Sequence, residues 1–188
     1  MEYSVQEGGS VSGVLKVLLE DGSSFFIAKD LLYGDEAPQT PEDLEFLAAE
    51  TGARKKALDL LARRDHARGE LRIKLLQRNF DPAAVEKALE WIDFKGYLND
   101  ERFARRWIEE RLRKHPEGLL ALEAGLRKKG IDSQVIRRVL GGVTEAERLD
   151  ALERAREKIS RRHDDPAKVK AALMRRGFGS ADFRLENN

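Results

Sequence analysis

Three histidines have the widest chemical range of any residues in this 188-residue chain, and each closes a basic run. The runs are "ARRDH" at 62–66, "LRKH" at 112–115 and "SRRH" at 160–163. Histidines at recurring places invite a metal site or general acid–base work. Yet each lies in a different stretch, with no cysteine in the chain and no carboxylate cluster beside it at ligand spacing. A helix C-terminus, by contrast, favours Arg, Lys and protonated His through its dipole and free carbonyls. The paired carboxylates Asp100-Glu101 and Asp164-Asp165 stand where helices are expected to begin, so capping accounts for them better than proton transfer. The phosphate cradles GxxxxGK[ST] and GxGxxG are absent, and the glycines fall at expected turns. These residues offer no catalytic, metal or cofactor site, and the chain reads as a non-enzyme.

What remains is positive charge. Arg63, Arg64, Arg68, Arg72, Lys74 and Arg78 crowd one segment. Arg105, Arg106, Arg113, Lys114, Arg127, Lys128 and Lys129 follow in a second, and Arg161, Arg162, Arg175 and Arg176 in a third. The net charge of +1 hides an asymmetry: residues 1–52 hold two bases against eleven acids (−9), and residues 53–188 hold 33 bases against 23 acids (+10). A basic stripe could track a phosphate backbone or an acidic protein groove. One by one, the same residues read as solvated charges on helix faces. The aromatics Trp91, Phe94, Phe103 and Trp107 fall at helical spacings and read as core rather than as base-stacking platforms.

The elements that must position these charges are mostly helices. Charged residues make up 37% of the chain and aromatics only 7%, a helical and well-solvated composition. The N-terminal fifty residues differ. "VSGVLKVLLEDGSSFFIA" alternates around Asp21-Gly22, a pair suited to a hairpin turn, which predicts strands at 11–19 and Ser24–Ala28. "GDEAPQTP" is a loop, and Thr40-Pro41 opens a short helix with Asp43 at its third position. No apolar run is long enough to span a bilayer and no secretory signal is visible, so the expected location is the cytoplasm.

From Ala53 onward one phrase is written three times: "LLQRNFDPAAV" (75–85), "LRKKGIDSQVI" (126–136) and "LMRRGFGSADF" (173–183). The pairs Leu71/Leu75, Leu122/Leu126 and Val169/Leu173 stack on one helix face at a spacing of four. Asn79, Gly130 and Gly177 then close the helix in the left-handed conformation, and Phe80, Ile131 and Phe178 fold back against it. Asp81-Pro82, Asp132-Ser133 and Gly179-Ser180 start the next helix, whose inward residues are Val85, Ile136 and Phe183. With the helix that ends in each basic run, the unit is three helices in roughly fifty residues, the signature of a stacked helical array. The expected fold is mainly α, with tandem three-helix repeats forming an elongated, curved array behind a small N-terminal β-hairpin segment. Its parts are 1–52 (hairpin and short helix), 53–98, 99–143 and 144–188, the last with a truncated final helix.

Two of these stretches carry a resemblance. "LLARRDHARGELRIKLLQRNF" followed by "WIDFKGYLNDERFARRWIEERLRK" resembles the RecX family, bacterial regulators of the RecA recombinase. The match rests on Arg64 with Gly69-Glu70-Leu71 and Leu75, then on Gly96 through Asp100 leading to Arg102-Phe103-Ala104, and it covers about residues 53–178. The resemblance implies a monomeric, non-enzymatic modulator without cofactor that lodges in the groove of a RecA–single-stranded DNA filament. There it limits growth, ATP hydrolysis, strand exchange and coprotease activity, in recombination, DNA repair and the SOS response. It leaves open weak direct binding of DNA. The alternative is a helical module that acts on single- or double-stranded DNA directly, for which basic multi-helix units serve equally well.

Overall fold

The computed structural model describes residues 2–7, 13–34 and 37–185. Positions 11 and 12 of the first expected strand, 35 and 36 of the expected loop, and the C-terminal 186–188 lie outside the described residues. The chain divides into two compact units, Met1–His66 with Glu70–Leu98, and Ala67–Gly69 with Asn99–Asn188.

The first unit opens with three antiparallel strands in the order β1 (Tyr3–Glu7), β2 (Val14–Leu19) and β3 (Ser24–Ala28). The expected hairpin is β2–β3, closed by Gly22 at φ 87°, with Asp21 Oδ1 accepting from the amide and hydroxyl of Ser23. Strand β1 was not expected, because "YSVQE" offers only two apolar residues in alternation. Its register sets Val5 beside Val17. Val17 and Ile27 are buried with Leu32 of α1 (Lys29–Leu32) and Leu44 of α2 (Pro41–Leu61).

Helix α2 begins as expected, with a reciprocal capping box between Thr40 and Asp43 and proline in the first turn. It is not short. It runs for 21 residues through Gly52 and past the expected boundary at 52/53. Gly52 is a packing glycine rather than a turn: a Cβ there would stand 3.1 Å from Cε1 of Phe80. Thr51 ties the sheet to this helix, its Oγ1 accepting from the Ala28 amide (2.8 Å) and donating to the Leu47 carbonyl (2.8 Å). Beside it the buried Arg54 donates through Nε and Nη2 to Glu50 and through Nη1 to Asp30 at 2.7 Å. Its guanidinium also lies 4.5 Å from the centre of the Trp91 ring. The rest of the unit packs Ala57 and Leu60 against Leu71 and Leu75 of α3 (Arg68–Leu76), and against Val85, Leu89 and Ile92 of α4 (Pro82–Phe94).

The second unit holds α5 (Asp100–Lys114), α6 (Leu119–Lys128), α7 (Ser133–Gly141), α8 (Glu145–Ser160), α9 (Pro166–Arg175) and α10 (Ser180–Leu185) around one core. The three recurring turns share one geometry, as the repeat predicts. Asn79, Gly130 and Gly177 have φ of 61°, 75° and 82°. The amides of Phe80, Ile131 and Phe178 reach back to the carbonyls of Leu75, Leu126 and Leu173. Asp81 and Asp132 cap the helices that follow the first two turns, and α10 begins at Ser180 after the third.

Not every glycine is a turn residue, contrary to the sequence reading. A Cβ on Gly69 would lie 2.6 Å from the Lys129 carbonyl oxygen and 2.7 Å from Gly130 Cα, all within the second unit. One on Gly118 would overlap the backbone of Gly177 and Phe178, and one on Gly125 would overlap the Trp107 ring. Main chain therefore crosses main chain at two equivalent places, each glycine standing three residues after a histidine (His66, His115). After His163 that place holds Pro166. The aromatic reading also needs one correction. Phe103 is buried and Trp91 and Trp107 are half-buried, but Phe94 is 84% exposed because α4 ends on it.

Candidate functional site

Helix ends decide where the basic residues stand. In the first unit, α2 stops at Ala62 and leaves Arg63 and Arg64 exposed, with Arg64 Nη1 donating to the Asp65 carbonyl and to Glu70. Arg72 pairs with Glu86, and Arg78 donates to the Lys74 carbonyl. Lys74 is half-buried. His66 is not the surface cation that its basic neighbours suggest. It is buried, its Nδ1 lies 3.3 Å from Glu70, and burial together with the adjacent Arg64 pushes its pKa below the usual imidazole range despite Glu70.

In the second unit many candidates are already spent on carboxylates. Arg105 and Arg138 share Glu101, whose carboxyl they hold below its ordinary range through hydrogen bonds. Lys114 pairs with Glu110, Arg127 with Glu123 and Arg161 with Glu157, each at a spacing of four. Lys129 is half-buried, its Nζ 5.4 Å from the Phe103 ring centre. Exposed pairs like these are worth at most about 1 kcal/mol each, and they lower the free charge of the surface. Arg68, whose amide donates to Asp100, is half-buried, while Arg106, Arg113 and Lys128 are exposed.

One group does come together. Arg161, Arg162, Arg175 and Arg176 line a cleft of about 520 Å³ at the C-terminal ends of α8 and α9, joined by Lys158 and His163. A second cleft of about 290 Å³ shares Lys158 and Arg176 with the first and adds Arg111, Lys114, His115 and Glu117. Glu117 is bound by Arg111 through both Nε and Nη2. The crossing of Gly118 and Gly177 builds this junction, because the Gly118 amide donates to the Arg176 carbonyl at 2.9 Å. Lys158 and Arg111 were not among the sequence candidates and His115 was read only as a helix-end residue, since only folding brings the three to the same place. Arg105 and Arg106 line a separate cleft with Asn99, Glu101, Arg102 and Glu109. The run Arg127–Lys128–Lys129 lines none of these three clefts. Among the described residues no three His, Asp or Glu side chains are grouped to hold a metal, and no helix is long and apolar enough to cross a membrane.

Comparison with known proteins gives a consistent result. Residues 53–91 match the RecX first three-helix domain, and residues 99–140 match the RecX second three-helix domain. Regulatory protein RecX of Chlorobium phaeobacteroides (strain BS1) is 36% identical over 138 residues, covering 69% of this chain and 90% of the relative. The same-named protein of Mycobacterium leprae (strain Br4923) is 36% identical over 136 residues, covering 69% and 80%. A crystal structure of regulatory protein RecX superposes with a TM-score of 0.77 at 18% identity, covering 100% of this chain and 98% of the other. RecX from Lactobacillus salivarius gives 0.64 at 20% identity over 74% and 93%. At such identities the two solved structures speak for the fold alone.

Proposed function

Because this chain belongs to the RecX family of non-enzymatic regulatory proteins, we propose that it binds the RecA–single-stranded DNA filament and inhibits filament growth, ATP hydrolysis, strand exchange and coprotease activity. The process served is recombination and DNA repair, and the chain acts there as a cytoplasmic monomer. One observation carries the reading: the match extends over 90% of a regulator's length rather than over one helix pair. A regulator without a catalytic group works by differential affinity. To slow turnover it must bind a non-hydrolysing or non-growing state of the filament better than the active one, and each tenfold preference is worth about 1.4 kcal/mol. Basic side chains on short helix ends suit an acidic groove or exposed phosphates along such a filament.

The test is the DNA-dependent ATPase of RecA, titrated with this protein beside an unrelated ATPase that needs the same single strand. Selective inhibition of RecA at or below one chain per protomer supports the proposal. Equal inhibition of both enzymes, relieved by excess DNA, would instead support a module that acts on DNA directly.

A further inference from the structure

From the third repeat we infer a docking groove for an acidic, leucine-bearing helix of a partner protein. The two earlier repeats show what such a groove holds. In the first, Leu89 of α4 shares one core with Val85 and with Leu71 and Leu75 of α3. In the second, Leu140 of α7 packs on the core that holds Leu122, Leu126 and Ile136. The third repeat carries the counterparts Val169, Leu173 and Phe183. Four residues after Phe183, where Leu89 and Leu140 stand in the other two, its sequence has the polar Asn187. A cleft of about 560 Å³ opens beside these side chains, walled by Arg156 and Ser160 of α8 and floored by Pro166, Val169, Leu173 and Phe183. An apolar floor without its leucine forfeits contacts that the other repeats make, and one fitting side chain recovers them.

The internal templates and the rim together choose the occupant. In both earlier repeats the filling piece is a turn of helix, its leucine four residues after the preceding inward side chain (Val85 to Leu89, Ile136 to Leu140). A partner helix laid in a groove presents its anchors at the same spacings. The rim sets the charge of that helix. Lys170 holds its Nζ 5.7 Å from the centre of the Phe183 ring, and Arg156 and His163 stand with it. Among the described residues that line the groove, Asp164 is the one carboxylate. Carboxylates flanking the incoming leucine meet this excess of positive charge, whereas a basic helix is repelled. A nucleic-acid strand has phosphates for the rim but no aliphatic side chain for the floor. The groove shares only His163 with the larger basic cleft. It goes beyond the filament reading and would serve whether or not RecA is the partner.

Fluorescence anisotropy tests the groove with the full chain and a labelled peptide that copies residues 86–94 (EKALEWIDF), stapled as a helix between positions 87 and 91. The staple replaces the one base and leaves Leu89 and Ile92 among three acids, Glu86, Glu90 and Asp93. The peptide should bind, and Leu89→Ala within it should weaken binding about tenfold or more, as truncation of a buried anchor does. Lys170→Glu in the chain, an exposed position, should weaken it roughly fivefold. Asn187→Leu supplies the absent side chain from within. It should raise the melting temperature by roughly 2–4 °C for a chain of this length and lower the peptide's affinity. Lys128→Glu, outside the groove, is the control and should leave the affinity unchanged. The inference is overturned if the peptide does not bind, if its Leu89→Ala form binds equally, or if Asn187→Leu leaves the affinity unchanged. It is overturned as well if a peptide with lysine in place of its three acids binds better, or if an oligothymidylate displaces the acidic one.

Discussion

Replacing Gly118 with alanine adds a single methyl group where one stretch of main chain crosses another. The new Cβ would overlap the Gly177 carbonyl carbon and oxygen and the Phe178 nitrogen, far inside the 3.0 Å that real Cβ atoms essentially never breach. All three are backbone atoms, so no side chain can swing aside, and the 177–178 turn has to move bodily. The residue's own conformation adds nothing, since φ −78° and ψ 166° suit alanine as well as glycine. Overpacking of this kind costs about 1–3 kcal/mol. The strain also stretches two hydrogen bonds, Gly118 N–H to the Arg176 carbonyl and Leu120 N–H to the Gly177 carbonyl, each worth about 1 kcal/mol. A total near the top of the overpacking range, about 3 kcal/mol, lowers the melting temperature by roughly 6–12 °C for a chain of this length. Scanning calorimetry reads this directly, and if the units melt separately only the transition of the second unit should move. Gly96→Ala is the control. Gly96 has φ 74° with nothing within 4 Å of its Cβ position, so its cost is conformational, about 1–2 kcal/mol. If Gly118→Ala melts within a degree of the parent, or costs less than Gly96→Ala, the backbone crossing is not as tight as described.

Three further outcomes follow from the first unit. His66 is held neutral by burial and by Arg64, so its folded-state pKa lies below the unfolded value of 6.5. Its contribution is therefore complete above about pH 6.5 and is lost as pH falls below it, and His66→Asn should flatten that acid-side slope in a stability–pH profile. Arg54→Leu leaves the Glu50 carboxylate, 5% exposed, without its buried partner and should cost about 3–5 kcal/mol by urea denaturation. The double variant Arg54→Leu/Glu50→Leu should recover much of that loss, and no recovery would refute the pairing. We further propose 1–52, 53–98, 99–143 and 144–188 as the structural divisions, which a chain beginning at Ala53 tests. A cooperative, helical melt supports a separable N-terminal segment. Aggregation or a broad melt would show that the sheet and α2 fold as one piece, since α2 runs across that boundary.

Local signals made the helix ends legible in the sequence. Asn79, Gly130 and Gly177, Asp81 and Asp132, and the Thr40–Asp43 box each act within a few residues of chain, so spacing alone predicts them. Gly52, Gly69, Gly118 and Gly125 were opaque because the atoms they make room for come from distant positions. A hint existed in the matched spacing of His66 to Gly69 and His115 to Gly118. The candidate surface divides the same way. Arg105, Lys114, Arg127 and Arg161 each stand four residues after a glutamate, so their pairing could have been read from the sequence. That Lys158, Arg176 and Lys114 converge on joined clefts depends on how α5, α8 and α9 end in space, which no local pattern encodes.

The central claim is that the partner is the filament and not merely the DNA inside it. Binding of this protein to one labelled single strand, bare and then coated with RecA and a non-hydrolysable ATP analogue, tests it most directly. Coating should raise the affinity by at least tenfold, about 1.4 kcal/mol, and binding should saturate in proportion to RecA protomers. If the coat instead lowers the affinity, with RecA and this chain competing for the same phosphates, the protein acts on DNA and the filament is not its target.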